Sequence, residues 1–233
     1  MNGHMINCEW GLKGIEKFLP VTDVFIIVDV LSFSTSVDIA CDKGAIVYPC
    51  NLEGREAQEY AVSNNAILAK PRSRTELSLS PCSLMNIPAE TRLVLPSPNG
   101  STLSLATAKI LTLCGCLRNY RSVAEYANDH GERITVIPAG ERWPDGSIRF
   151  ALEDILGAGA VISQLKGKQS LEAKIATGIY QSFQNNETDT LLNCVSGIEL
   201  VERGYVKDVS LAAEINVSEC VPLLSNGAFI NTQ

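Results

Sequence analysis

Asp29 is the first residue whose type and surroundings could do chemistry. It lies near the carboxyl end of an apolar, β-branched run at residues 24–30, and hydroxyl residues follow it directly. Such a run is typical of a strand that is buried on both faces. One of the hydroxyl residues, Ser32, Ser34, Thr35 or Ser36, can cap the helix predicted by the residues that follow. The sequence therefore places a carboxylate where a strand passes into a helix.

Asn99-Gly100-Ser101-Thr102 lies at another predicted boundary between a strand and a helix. A glycine there lets backbone N–H groups approach an anion closely, and the helix start adds partial positive charge. The alternative is a capped turn that binds nothing, which is the commoner use of Asn-Gly-Ser. The tetrapeptide by itself favours the turn and leaves both interpretations open.

Residues 140–149 form the densest polar segment of the chain and contain two arginines, Arg142 and Arg149. Guanidinium groups suit bidentate contact with phosphate, carboxylate or sulfonate. The alternative is a solvated loop whose arginines pair with Glu141 and Asp145. An anion site and a solvated loop are both consistent with this segment.

Glu153 and Asp154 lie in the first turn of a helix predicted from about residue 150 to residue 165. Adjacent helical residues point in different directions, and acids in a first turn also stabilise the helix dipole. One of the two, together with Asp29, would supply hard oxygen ligands for Mg²⁺, which water and substrate oxygens would complete. A metal held there could neutralise phosphoryl charge and orient or deprotonate an attacking water.

Alternating strands and helices must position these candidates. The patterns predict strands at residues 45–48, 66–69, 92–95 and 134–137, and helices at residues 52–62, 123–130, 171–183, 191–203 and 206–215. This alternation is typical of layered α/β folds, in which ligands bind outside the carboxyl ends of strands. We therefore expect the loops at residues 29–36, 96–102 and 140–154 to converge on one site.

The length of the chain favours a single α/β domain over residues 1–233. Its portion at about residues 165–220 is predicted to be mainly helical, and Ser-Asn-Gly at 225–227 predicts a closing hairpin. Residues 70–90 form a Ser/Pro-rich connection that is too long for a simple turn. Such connections are either functional flaps or disordered loops.

Composition excludes several classes of partner. The formal net charge is −7 and no long Lys/Arg run occurs, which argues against nucleic acid or an anionic membrane as partner. An anionic substrate would need locally placed arginines. Residues 1–10 lack a secretory signal, and no apolar run reaches the roughly 20 residues of a membrane span. The eight scattered cysteines predict reduced thiols in a cytoplasmic protein.

Several phosphatase chemistries are disfavoured by residue types. Neither of the two histidines follows an arginine, as a phosphohistidine enzyme would require, and Cys50 and Arg55 enclose four residues rather than five. Leu31 stands where an aspartyl-phosphate enzyme would carry its second acid. Direct attack by a metal-assisted water is therefore preferred. A covalent role for Asp29, or for a serine within residues 32–36, is the weaker alternative.

At these residues the chain resembles the 2-phosphosulfolactate phosphatases, magnesium-dependent enzymes that make sulfolactate in coenzyme M biosynthesis. The matching segments are Val28-Asp29-Val30-Leu31, Pro98-Asn99-Gly100-Ser101, Ala139-Gly140-Glu141-Arg142, Leu152-Glu153-Asp154 followed by Gly157-Ala158-Gly159-Ala160, Gly197-Ile198-Glu199-Leu200, Asp208-Val209 and Val221-Pro222. Each segment is weak alone, but their order and spacing together are specific.

The resemblance implies a three-layer α/β/α fold with a mixed, largely parallel sheet, a homo-oligomer, and hydrolysis of 2-phosphosulfolactate to sulfolactate and phosphate. In this sequence Asp29 and Glu153 would hold Mg²⁺, with Asp154 as the alternate or supporting acid. The expected catalytic residues are Asp29, Arg142 and Glu153. The expected substrate-binding residues are Ser34, Thr35, Asn99, Gly100, Ser101, Gly140 and Arg149.

Ser32 departs from the resemblance, because many relatives carry an arginine at this place. If that arginine grips a sulfonate or carboxylate, the substrate here could differ. Two alternatives therefore stay open: a phosphatase for another phosphorylated hydroxy acid, and a non-catalytic anion-binding protein on the same scaffold. The acids beside the arginine pair favour the enzyme, because a pure anion receptor gains nothing from a carboxylate in its pocket.

Overall fold

Alternate side chains of the central strand Val24–Val28 are buried on opposite faces of a sheet. Val24, Ile26 and Val28 pack into one apolar cluster, whereas Phe25 and Ile27 pack into another. A strand of this kind needs cover on both faces, and helices provide it. The structure, a computed structural model that describes residues 4–232, is accordingly a three-layer α/β/α fold.

Residues 4–232 form twelve strands, eleven α-helices and one short 3₁₀ turn at Leu19–Val21. The strands are β1 Met5–Cys8, β2 Val24–Val28, β3 Ile46–Cys50, β4 Ile67–Leu68, β5 Arg92–Pro96, β6 Leu111–Cys114, β7 Arg133–Pro138, β8 Glu141–Arg142, β9 Ile148–Arg149, β10 Lys168–Gln169, β11 Pro222–Ser225 and β12 Ala228–Asn231. The helices are α1 Gly11–Phe18, α2 Phe33–Asp42, α3 Gly54–Ser63, α4 Pro81–Leu84, α5 Gly100–Ala106, α6 Tyr120–His130, α7 Leu152–Ile162, α8 Leu171–Phe183, α9 Glu187–Asn193, α10 Val195–Glu202 and α11 Val206–Ala212.

Ten strands form one mixed sheet in the order β10-β1-β7-β2-β6-β11-β12-β3-β5-β4. The strands from β10 to β6 are mutually parallel, and so are β3, β5 and β4. The hairpin of β11 and β12 lies between these groups and is antiparallel to both neighbours. It follows that the two parallel groups run in opposite directions.

Helices cover the two faces of the larger parallel group. Side chains of α6, α7 and α8, including Val123, Val161 and Ala176, join the cluster that contains Val24. On the other face, Ile15 of α1 and Leu103 of α5 pack against Phe25 and Ile27. Within residues 4–232, no helix combines the length and apolar character needed to cross a membrane. The fold class predicted from the sequence is confirmed.

Some element boundaries differ from the predictions. The helix predicted at residues 191–203 is two helices, α9 and α10, because Cys194 adopts an extended backbone and its Sγ accepts the Gly197 N–H at the start of α10. Helix α7 begins at Leu152, because Ile148–Arg149 pairs with Glu141–Arg142 as a small hairpin. Strands β1 and β6 and helix α1 were not predicted.

Candidate active site

Asp29 lies just after β2 and joins two segments that are remote in sequence. Its Oδ1 accepts the Phe33 N–H at 3.3 Å, and its Oδ2 accepts the Gly100 N–H at 2.8 Å. Burial raises the pKa of Asp29 to about 6. The negative charges of Glu141 and Glu153 also raise this pKa, and the two backbone donors oppose the rise. The charges of two other acids thus add to the cost of ionising this buried carboxylate.

The start of helix α5 lies against this carboxylate and has no room for a larger residue. A Cβ at Gly100 would stand 2.3 Å from the Phe33 ring and 2.8 Å from Asp29 Oδ2. The Gly100 N–H donates to Asp29, so it does not point into open space for an anion. Ser101 is fully buried and donates its hydroxyl to the Leu95 carbonyl. Both residues therefore shape the loop that carries Asn99.

Asn99 links the loop after β5 to the β8–β9 hairpin. Its Nδ2 donates to Glu141 Oε1 at 3.0 Å, and its Oδ1 accepts from Arg142 Nε at 3.3 Å. Arg142 also donates to the Gly146 carbonyl and is exposed to solvent. An amide, a carboxylate and a guanidinium thus lie in contact beside Asp29.

Asp154 fastens the loops after β2 and β7 to each other. Its Oδ1 accepts the Val30 N–H at 2.8 Å and its Oδ2 accepts the Gly140 N–H at 2.9 Å. Burial, followed by the charges of Glu153 and Asp29, raises the pKa of Asp154 well above its ordinary value. With both oxygens bonded to backbone donors, this residue positions the loops.

Glu153 is buried beside Asp154 and contacts the Cys194 thiol. Burial is the first cause that raises the pKa of Cys194 to about 12, and the charge of Glu153 also contributes. Arg149 forms an ion pair with Glu199 at 2.9 Å and lies over the Trp143 ring. Neither predicted partner of Arg149, Glu141 or Asp145, is the acid that it binds.

Ser34 and Thr35 are fully buried, and their hydroxyls are engaged by the backbone. Ser34 Oγ accepts the Asp29 N–H at 2.8 Å and donates to the Ile27 carbonyl, while Thr35 donates to the Val30 carbonyl. Both residues were expected to contact the substrate. The structure instead uses them to hold the turn that carries Asp29, and neither lines the cavity described next.

A cavity of about 500 Å³ opens at Asp29 and Asn99. It also contains Ser32, Ser97 and Glu141. Its charged lining residues are Asp29, Glu53, Lys70, Arg72, Glu141, Glu199 and Arg203. A second cavity of about 300 Å³ shares Asn99 and is lined by Arg142. Of the predicted residues, Asp29 and Asn99 therefore face the main cavity, Arg142 faces the adjoining one, and Glu153 lies buried behind them.

The acids of the cavity determine which metal ion the site could hold. Within residues 4–232, no group of three or more His, Cys, Asp or Glu side chains is arranged to hold a metal ion by itself. Mg²⁺, however, is usually bound by one or two carboxylates, with water and substrate phosphate completing its octahedron. Asp29 and Glu141 line one cavity, and the charge of Glu141 helps to raise the pKa of Asp29. The carboxylates of Asp29 and Glu141 therefore fit a Mg²⁺ site in which the substrate phosphate is a further ligand.

Sequence reasoning missed the basic residues of the cavity, Lys70, Arg72 and Arg203. Two of them lie in the connection at residues 70–90, for which the sequence left a functional flap and a disordered loop both open. The run Lys-Pro-Arg-Ser-Arg at residues 70–74 was the available pattern. Glu141 was considered as a partner for arginine, but not as a site residue.

Comparison with known proteins gives a consistent result. Residues 13–227 match the family model described as 2-phosphosulpholactate phosphatase. The chain is 28% identical over 205 residues to a "2-phosphosulfolactate phosphatase" of Methanothermobacter thermautotrophicus, covering 87% of each chain. It is 26% identical over 208 residues to a "Probable 2-phosphosulfolactate phosphatase" of Carboxydothermus hydrogenoformans, covering 84% of each chain.

Proposed function

Because the chain belongs to the 2-phosphosulpholactate phosphatase family, and is therefore a phosphoric monoester hydrolase, we propose that it hydrolyses 2-phosphosulfolactate to sulfolactate and phosphate with Mg²⁺ as cofactor. The observation that carries this proposal is the cavity that Asp29, Glu141 and Asn99 line together with Arg72 and Arg203. Carboxylates for a divalent cation and guanidinium groups for an anion thus share one enclosure.

Asp29 and Glu141 are the residues that would hold Mg²⁺, with Glu153 contributing its charge from behind. When bound, the ion would offset charge on the phosphoryl group and lower the pKa of an attacking water. The protein's own contribution is positioning. Phe33 and Gly100 N–H groups fix the orientation of the Asp29 carboxylate, and Asp154 fixes the two loops around it.

Asn99 and Arg142 would stabilise charge on the phosphate. The Asn99 amide is held between Glu141 and Arg142, so its orientation is set before a substrate enters. Arg142 contributes a guanidinium whose remaining N–H donors reach solvent. Preorganised donors of this kind need no reorganisation as phosphoryl charge develops, which is how electrostatic stabilisation lowers a barrier.

Phosphate release tests the proposal directly. Purified protein is assayed with 2-phosphosulfolactate, phospholactate and 2-phosphoglycerate, each with Mg²⁺ and with excess EDTA. We expect release from 2-phosphosulfolactate that EDTA abolishes and added Mg²⁺ restores. Turnover that survives complete chelation would contradict the metal assignment, and faster release from another ester would change the substrate.

Asp29→Asn provides the matching variant. It should lower kcat/KM by roughly 1,000-fold or more, because a metal contributes several kcal/mol to such a barrier. Asp23→Asn is the control, since Asp23 is an acid that pairs with Arg133 outside the cavity. Equal activity of the two variants would exclude Asp29 from the reaction.

A further inference from the structure

The cavity has three basic residues to which no role in holding Mg²⁺ or the phosphate has been assigned individually. Lys70, Arg72 and Arg203 line it together with Ser32 and Asp29. We propose that Arg72 and Arg203 bind the second anionic group of the substrate, a carboxylate or sulfonate, and so select phosphate esters that carry such a group. This inference rests on the proposed function, because it assigns specificity within the same site.

Arg72 is held rigidly at the edge of the loop that carries Asp29. Its Nη1 donates to Asp208 Oδ2 at 2.7 Å and its Nη2 donates to Ser32 Oγ at 3.0 Å. The side chain is 12% exposed. A guanidinium has five N–H donors in a fixed fork, and these two contacts occupy two of them. The remaining donors can meet a planar carboxylate or a sulfonate at the cavity surface.

Arg203 adds a second guanidinium to the lining of the cavity. In the part of the chain that the structure describes, neither Arg203 nor Lys70 forms an ion pair. Burial lowers the pKa of Arg72, and the charge of Arg203 lowers it further, so the two cations repel each other. An anion bound between the two guanidinium groups would relieve this repulsion.

Asp208 positions Arg72 and does not itself face the cavity. It is 1% exposed and accepts from Ser80 Oγ at 2.6 Å and from the Cys82 N–H at 3.2 Å, besides Arg72. Tyr205 adds a hydrogen bond to the Arg72 carbonyl and lies 5.4 Å below its guanidinium. The loop at residues 70–82 is thereby anchored to helix α11, and Arg72 is aimed at Ser32.

A substrate series isolates the second anion. Isopropyl phosphate, phospholactate and 2-phosphosulfolactate share a phosphate on a secondary carbon and add first a carboxylate and then a sulfonate. Arg72→Gln should lower kcat/KM for the two anion-bearing esters by roughly 10- to 100-fold, the range expected of a charge-assisted hydrogen bond. It should change kcat/KM for isopropyl phosphate by less than about threefold.

Arg203→Gln separates the two possible anions. A loss confined to 2-phosphosulfolactate would assign Arg203 to the sulfonate, and a loss shared with phospholactate would assign it to the carboxylate. Arg74→Gln is the matched control: Arg74 lies in the same loop and over the same Tyr205 ring, but it does not line the cavity. Equal losses on all three esters for Arg72→Gln would overturn the proposal.

Binding without turnover distinguishes failure of this inference from failure of the proposed function. Calorimetric titration with sulfolactate in EDTA should show a Kd that rises at least about tenfold in Arg72→Gln and Arg203→Gln, and not in Arg74→Gln. A wild-type protein that binds sulfolactate but hydrolyses no ester would refute the phosphatase and keep the anion site. If the wild type hydrolyses the esters and both variants keep its selectivity among them, the anion site alone would be refuted.

The effect of Arg72→Gln on folding needs a control of its own, because removing Arg72 leaves the buried charge of Asp208 without its cation. The double variant Arg72→Gln/Asp208→Asn removes that charge as well. Its thermal unfolding midpoint should match the wild type more closely than that of the single variant, while its affinity for sulfolactate stays reduced. Recovery of affinity in the double variant would show that Arg72 acts through the fold and would overturn the proposal.

Discussion

Three buried aspartates, Asp29, Asp38 and Asp154, each have a pKa raised first by burial. For Asp29 and Asp38 the pKa rises from 3.8 to about 6. Between these values the folded state binds more protons than the unfolded state, so stability falls as the pH rises. At neutral pH, where these carboxylates are charged, their burial therefore lowers the stability of the folded state.

We therefore predict that the metal-free protein loses stability between pH 4 and pH 7. Asp29 alone contributes a decrease of about 3 kcal/mol in the free energy of unfolding, because folding raises its pKa from 3.8 to about 6. Urea titrations in EDTA at several pH values measure this decrease. Asp29→Asn should flatten the decrease. Asp23→Asn should not, because a hydrogen bond from Arg133 lowers the pKa of Asp23 and gives its contribution the opposite sign. An unchanged slope in Asp29→Asn would contradict the prediction.

Gly100 gives a second prediction for a single residue. Gly100→Ala should push Asp29 from its place, because the new methyl group would overlap both the Phe33 ring and Asp29 Oδ2. A displacement near 1 Å at a catalytic group costs about 100-fold in rate. Steady-state kinetics with 2-phosphosulfolactate measure this loss of rate. Near-wild-type turnover would show that the Asp29 carboxylate need not be held where the structure places it.

The site was predictable from the sequence where chemistry and a strand end coincide. Asp29, Asn99 and Arg142 were predicted to lie together because a carboxylate, an amide and a guanidinium followed predicted strands, and they do lie in contact or share a cavity. Arg72 was missed because its position depends on a long connection folding back over the sheet. Local patterning carries no information about which surface such a loop contacts.

At the scale of elements, the packing of α7 against α8 supports the acids at the start of α7. Gly159 allows the two helices to pack this closely, because a Cβ at this position would overlap the Ala176 carbonyl. Gly159→Ala should therefore separate the helices and cost about 1–3 kcal/mol of stability, as overpacking does. Thermal unfolding measures the loss.

Gly178 of α8 is the matched control for this change, because a Cβ at this position meets no atom within 4 Å. Gly178→Ala should raise stability by up to about 1 kcal/mol through helix propensity. If both alanine variants were equally stable, close packing at Gly159 would not be what limits the approach of the helices.

Predicted elements were most accurate where periodicity was long. Helix α8 was predicted with its observed bounds, Leu171–Phe183, from an amphipathic pattern of several turns. Strand β1 was missed because four residues with alternate burial give little pattern. Strand β6, Leu111–Cys114, was missed because only residues 107–110 separate it from α5, and none of them is Gly or Pro.

For the whole molecule, the C-terminal hairpin connects two parallel groups of strands. Phe229 of β12 is fully buried against Phe33, whose N–H binds Asp29. Phe229→Ala should cost about 3–5 kcal/mol of unfolding free energy. Ile230→Ala, at a residue that is 36% exposed, should cost far less. Equal losses in urea titrations would show that the hairpin does not brace this core. The homo-oligomer expected from the resemblance stays a prediction.

Convergence of the loops was expected because ligands bind at one edge of a parallel sheet, and this premise holds only in part. The loops after β2 and β7 do follow neighbouring parallel strands. Strand β5 belongs to the group that runs the other way, yet the loop after it reaches Asp29. Twist between neighbouring strands, roughly 20–25° at each step, reorients β5 relative to β2.

The position of the hairpin also has a consequence for synthesis. Residues 222–231 leave the ribosome after both parallel groups, yet they supply the pairing of Leu223 with Leu113 and of Phe229 with Val47. Until then the nascent chain carries two unpaired strand edges, β3 and β6, which invite pairing with other chains. A ribosome that stalls before this hairpin would leave a chain prone to aggregation.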